Sequence, residues 1–463
     1  MQKRVNDRKF RRFIHFLKKN KAAYVLGSVI VLILIFFIKL IYKSINHKNF
    51  DFKSFLSSLV DVKTLVTIVL VFFLTGLADV IVYLIEPKLE DLMKLTTDYN
   101  YLVRNYRKYS NLLSYTNKRD YCELGRKKTV SKAENYNAIK KSYDGNSDEY
   151  YFPITDVYSL YDKEVVINFD YENALVYKQP DWVKSHRDAL FEAHSYSDIY
   201  NQQMFRVDNI INNPNNFQLY LSKTSYLDSL ITNRACDYEI NGVSVRKIYE
   251  PGPVLHSLKE SVLSNHLGFN GMVETSDHKF IFIKRHNSVS IAKDKWQTSI
   301  GASLKTKFAL TINKEVTKDS IKEAIIHEMI DEFNLKYLDN FNDIKFQMEE
   351  NFQFEKNVLY FYRDLVECGK PQFMFYYQIP LTSNEIKTTL NNGYKTSKKN
   401  KNKFEDINSI DGHKLLFIDK EALYKIYLAP DGFVYDNKYY PSVPTSMATI
   451  AMMVMYLNND NKE

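Results

Sequence analysis

Residues 318–335 read Lys-Asp-Ser-Ile-Lys-Glu-Ala-Ile-Ile-His-Glu-Met-Ile-Asp-Glu-Phe-Asn-Leu. At 100° per residue, Ile325, Ile326, Met329, Ile330 and Phe333 fall on one broad apolar face, so the spacing predicts an amphipathic helix. Asp319 or Ser320 is the expected N-cap, with Glu323 placed for a capping box. Glu328, Asp331 and Glu332 share a neighbouring sector of roughly 100°. Carboxylates that close repel one another unless a cation neutralises them, and an oxygen-rich trio suits a hard divalent ion such as Mg2+.

Upstream of this helix, residues 270–275 and 279–285 read as two strands around a turn at Ser276-Asp277-His278. Trp296-Gln297-Thr298-Ser299-Ile300-Gly301-Ala302-Ser303 reads as a third strand, with Gly301 expected to let the backbone turn tightly. Residues 165–169 and 217–221 look like further strands, and 444–457 like a helix that packs on the sheet.

At the other end of the chain the pattern changes. Residues 22–38 are uncharged and apolar, and the run extends to Tyr42; residues 64–86 form a second run holding Asp79. About 20 apolar residues at about 1.5 Å each span a bilayer core, so both runs read as transmembrane helices. Nine Lys and Arg stand in residues 1–21 against a single Asp7, which places the N-terminus in the cytoplasm and, after two spans, everything beyond Pro87 there too. Small residues Thr75, Gly76 and Ala78 flank Asp79, making it a candidate oligomer or pore contact. Much of the net charge of +8 belongs to this tail and speaks for membrane topology rather than for DNA or RNA polymers. Cys122, Cys236 and Cys368 lie far apart, which excludes CxxC metal or redox motifs.

The expected organisation is therefore a basic tail over 1–21, transmembrane helices over 22–42 and 64–86 joined by a short extracytoplasmic loop at 43–63, and a helical stalk over 87–144. A β extension at 145–231 and the main domain at 232–463 follow. The lysine-rich run 395–403 reads as a surface loop.

His327-Glu328-Met329-Ile330-Asp331-Glu332-Phe333-Asn334-Leu335, preceded by Trp296 to Gly301, resembles the Nudix box, Gly-x5-Glu-x7-Arg-Glu-U-x-Glu-Glu-x-Gly-U with U a bulky aliphatic. His327 replaces the arginine, Asp331 a glutamate and Asn334 the closing glycine; Asp319 stands for the upstream glutamate, Asn313 for the leading glycine, and Ala302 for the second glycine of the upstream pair. The resemblance implies a Nudix-like α/β/α sandwich, and hence a membrane-anchored α+β class with a two-helix transmembrane hairpin. The departures weigh against hydrolysis; Mg2+ at Glu328, Asp331 and Glu332 is expected only where hydrolysis is retained.

The whole layout is similar to that of CD-NTase-associated Nudix membrane effectors of bacterial CBASS anti-phage systems. That resemblance implies binding of a cyclic oligonucleotide second messenger made by a CD-NTase synthase, homo-oligomerisation on activation, and disruption of the phospholipid bilayer of the cell inner membrane. The alternative is a membrane-anchored Nudix hydrolase of a nucleoside diphosphate derivative. The candidate ligand-binding set is Lys284 and Arg285, placed to meet phosphates, Trp296, placed to stack on a base, and Gly301, Ser303, Glu328, Asp331 and Glu332; no catalytic residue is assigned.

Overall fold

The computed structural model describes residues 97–117, 140–143, 147–194, 201–285, 295–390, 414–429, 431–436 and 438–460. All of them belong to one compact unit, Leu95–Glu463. At its centre is an eight-stranded mixed sheet made of β1 (Ile154–Ser159), β2 (Gly268–Glu274), β3 (Lys279–Lys284), β4 (Trp296–Thr298), β5 (Ile300–Ser303), β6 (Val358–Asp364), β7 (Lys370–Gln378) and β8 (Lys414–Asp419).

The turn at 276–278 closes β2 onto β3, and His278 takes a left-handed φ of 59° in it. Beyond the turn the two strands diverge, and residues 296–303 fill the gap: β4 pairs with β3 and β5 pairs with β2, both antiparallel. Ser299 sits at the changeover, its hydroxyl donating to the Ile281 carbonyl and accepting from the Val273 amide. β7 runs parallel to β2, whereas β6 and then β1 continue antiparallel. Gly301 keeps extended pairing opposite Asn270 and makes no tight turn, which corrects that expectation.

Side chains alternate across these strands. Phe269, Val273, Ile281, Phe361, Phe373 and Phe375 join one core with Ile325, Ile326, Met329 and Phe333 of helix α1, Lys318–Glu332. Met272, Phe280, Phe282, Tyr362 and Met374 join the opposite core with Met447, Ala451 and Val454 of helix α2, Pro444–Asp460. The sheet thus carries one helix on each face. The N-cap of α1 is Thr317, whose hydroxyl accepts from the Ser320 amide while the Ser320 hydroxyl oxygen accepts from the Thr317 amide. The box is one turn earlier than the sequence suggests because Ser320 also serves as a donor to the Ala309 carbonyl.

A separate three-stranded sheet, Glu164–Asn168, Asn216–Ser225 and Gln203–Asn212, adds Phe205, Phe217, Leu219 and Leu221 to the α1-side core. The expected stalk is corrected. Its described part is an eight-residue helix, Tyr99–Tyr106, that buries Leu102 and Tyr106 against Leu255 and Leu365, followed by strands Ser114–Asn117 and Lys140–Tyr143.

The transmembrane runs at 22–42 and 64–86, Asp79 and the lysine-rich run at 395–403 lie outside the described residues. Among the described residues no helix is long and apolar enough to cross a membrane. The class the structure supports is α+β with mixed sheets. It gives no support to the membrane-anchored architecture or the multi-pass inner-membrane localisation, and those expectations are withdrawn.

Candidate functional site

The sheet divides the candidate residues between two places. On the α1 face, the carboxylate of Glu328 is paired with the Lys305 ammonium. His327 stacks on the ring of Phe308, with centroids 3.7 Å apart, and its Nδ1 lies 3.3 Å from Asp331 Oδ2. Burial pushes the His327 imidazole below its ordinary value, while Asp331 and Glu328 pull the other way. The helix ends at Asn334, which adopts a left-handed φ of 53°. Asparagine is among the few residues that do so cheaply.

Glu328, Asp331 and Glu332 do not form a donor set. Among the described residues no group of three or more His, Cys, Asp or Glu side chains is placed to hold a metal ion, and Glu328 already has its cation. The Mg2+ expected for a retained Nudix chemistry therefore does not fit these residues as they stand.

A different constellation lies on the α2 face, at the end of the sheet beside the N-terminus of α2. Its floor is bare: Gly301 of β5 is exposed, and a Cβ there would meet only Asn270 Oδ1 and Gln297 Oε1, each at 3.4 Å. A Cβ on Gly268 would crowd Gln372 Oε1 at 3.1 Å and Lys370 Nζ at 3.3 Å. Asn270, Gln297, Gln372 and Lys370 are each at least nine-tenths buried yet fully polar, in strands whose other residues are core. Asn270 Nδ2 donates to the Tyr362 hydroxyl at 2.7 Å and to Gln372 Oε1 at 2.6 Å. Arg285 donates to Gln297 Oε1, while its Nε is buried without a partner among the described residues.

Behind this floor is a buried charged cluster. Glu367 contacts Lys370 at 3.2 Å and Arg234 at 3.5 Å. Burial works to raise the Glu367 carboxyl, but the two cations outweigh it and hold it low. Lys370 is pushed down by burial against the pull of Glu367. Asp364, which accepts from Thr445 at the start of α2 and from the Val366 amide, is pushed up to about 6 by burial and by the charge of Glu367. His266 bonds Ser303 through Nε2 at 2.9 Å; burial, then Lys370 and Arg234, push it well below its ordinary value, so it is neutral near pH 7.

Arg234 ends a π-helical turn, Leu230–Arg234, anchored by Asn233 to Asn265 and the Glu367 carbonyl. Such turns are rare and gather at functional sites.

Of the sequence candidates, Arg285, Gly301 and Ser303 lie with this polar cluster. Lys284 lies one residue from Arg285 at the end of β3. Trp296 packs edge-on against Tyr440, 5.5 Å between centroids, at the margin of the α2 core. Asn270, Gln297, Gln372 and Lys370 escaped sequence reading because they come from three strands far apart in sequence. The available signal was a carboxamide at an inward position of an otherwise apolar strand, as in Gly268-Phe269-Asn270-Gly271-Met272-Val273.

No protein-family model matches this chain, and no curated protein matches it.

Proposed function

We propose that Leu95–Glu463 is a ligand-sensing module that binds a nucleotide in the recess on the α2 face. The ligand class that the Nudix and CBASS-effector resemblance implies is a cyclic oligonucleotide second messenger. The observation that carries the reading is exposed Gly301 beside the buried carboxamides of Asn270 and Gln297, with Gln372 bonded to Asn270 and Lys370 next to it. Buried polar groups cost free energy unless they are satisfied, so a recess that keeps several of them is better explained by a polar ligand than by packing. Arg285 stands at the rim, where a guanidinium suits a phosphate.

Support for the Nudix-like reading comes from the strand–helix order around α1, the left-handed Asn334 and the bracing of the loop by His327 on Phe308. Metal-assisted hydrolysis lacks a donor set on α1, so no hydrolytic step is derived. Ligand-dependent self-association is the output that the resemblance implies.

The test is calorimetric titration of the full chain with a panel of cyclic di- and trinucleotides, alongside light scattering. Gly301→Val is the informative variant: a Cβ there meets nothing closer than 3.4 Å, the branched side chain fills the space above it, and circular dichroism checks that the fold is kept. Binding by the parent chain, lost in Gly301→Val at unchanged circular dichroism, is the expected result. Failure of every cyclic oligonucleotide to bind, or equal binding by the variant, overturns the reading. Mg2+-dependent turnover of a nucleoside diphosphate derivative, abolished by Glu332→Gln, would replace it with the hydrolase reading.

A further inference from the structure

Two side-chain oxygens border the space over Gly301. Gly301 pairs directly with Asn270 across β5 and β2, and a Cβ at 301 would lie 3.4 Å from Asn270 Oδ1 and 3.4 Å from Gln297 Oε1. Gly301 itself is exposed, whereas Asn270 and Gln297 keep only 7% and 5% of their surface. The volume that a side chain would fill at 301 is therefore open, with two acceptors beside it.

Both oxygens can accept a further hydrogen bond. Gln297 Oε1 receives Arg285, an obligatory donor, and a carboxamide oxygen has two lone pairs, so one remains. Asn270 uses Nδ2 on the Tyr362 hydroxyl at 2.7 Å and on Gln372 Oε1 at 2.6 Å, while its Oδ1 takes no donor among the described residues. The group that completes this place is a hydrogen-bond donor. A carbonyl oxygen brought there would set its lone pairs against two acceptors and lose its hydration without replacement. The neighbouring cation decides between donors. Arg285 stands against Gln297, so an ammonium would enter beside a guanidinium, whereas a neutral N–H2 meets no like charge.

We infer that the space over Gly301 takes the exocyclic amino group of a nucleobase, so that the module selects amino-bearing bases over those that present a carbonyl in its place. Adenine and cytosine carry that group where hypoxanthine and uracil carry an oxygen on the same ring. The inference rests on the reading that this part of the module takes a nucleotide, and adds which group of the base is recognised.

The experiment measures affinities of the full chain for matched cyclic di- and trinucleotides, those of AMP against those of IMP and those of CMP against those of UMP. The members of a pair share ring size, sugar and phosphates. They differ in the exchange of amino group for carbonyl and in the hydrogen on the adjacent ring nitrogen. A site that hydrogen-bonds a ligand N–H rejects the analogue lacking it, so in any pair that binds the amino-bearing member is expected to be about tenfold tighter or better. Gln297→Met removes one of the two acceptors at similar length, and the preference is expected to shrink about fivefold, the worth of one hydrogen bond. Equal binding within every pair, or tighter binding by an IMP or UMP member, overturns the amino-group assignment and leaves the nucleotide reading standing. A preference unchanged in Gln297→Met places the amino group away from Gly301 and overturns the assignment as well. Absence of binding by every member overturns both. The parent-chain pairs decide the question by themselves should the variant fail to fold.

Discussion

Asp364 shows what a single buried carboxyl does to this fold. Burial and the neighbouring charge of Glu367 raise it from 3.8 to about 6. A carboxyl with a raised folded value favours the native state fully below its unfolded value, and that advantage is lost as pH climbs through the folded value. The window is therefore about pH 4 to pH 6, with little further change above it. Asp364→Asn removes the dependence while keeping an acceptor for the Val366 amide. Relative to the parent chain, the variant is expected to gain about 2 kcal/mol between pH 4 and pH 7 in urea unfolding of the full chain. A constant difference across that range would mean that Asp364 is solvated or that Lys370 neutralises it. The same residue marks a limit of sequence reading. Asp364 in Tyr-Phe-Tyr-Arg-Asp looks like a polar strand end, and only the arrival of Thr445, 81 residues on, places it against a helix N-terminus.

At the scale of elements, local chemistry made the fold legible where partners lie close in sequence. The β2–β3 hairpin, β4–β5 and α1 are each announced by alternation, a turn cluster or helical periodicity. Capping was legible only in part, since Thr317 rather than Asp319 or Ser320 takes the N-cap. Thr317→Ala is expected to cost about 1 kcal/mol, because the Ser320 amide at the start of α1 loses its side-chain acceptor. Thermal unfolding measures the loss, and Thr317→Ser should restore most of it. The recess was illegible for the converse reason. Its amides come from β2, β4 and β7, joined only by pairing across about a hundred residues, as in the Asn270–Gln372 bond. Charge periodicity drew attention instead to Glu328, Asp331 and Glu332, which a one-dimensional pattern cannot distinguish from a carboxylate already paired with Lys305.

At the scale of the whole molecule, the central sheet is a partition. The acidic helix and the amide recess back onto opposite faces, with the Phe269, Phe373 and Phe375 layer lining the α1 side. Sites separated in this way, with no shared partner, respond to substitution independently. Glu332→Gln and Glu328→Gln are thus expected to leave nucleotide affinity within about twofold of the parent chain. A larger loss in titration would place the ligand on the α1 face and remove the recess from the mechanism.

The exposed backbone at Gly301 is a surface made by omission. A ligand bound there as proposed would be admitted by a missing side chain rather than by contacts that also hold the protein together. On the proposed reading, a one-codon change at Gly301 is expected to close the entrance while adding no contact of its Cβ shorter than 3.4 Å. Loss of ligand binding through this position would then leave protein abundance unchanged, and a search for silent, full-length inactive variants should begin there.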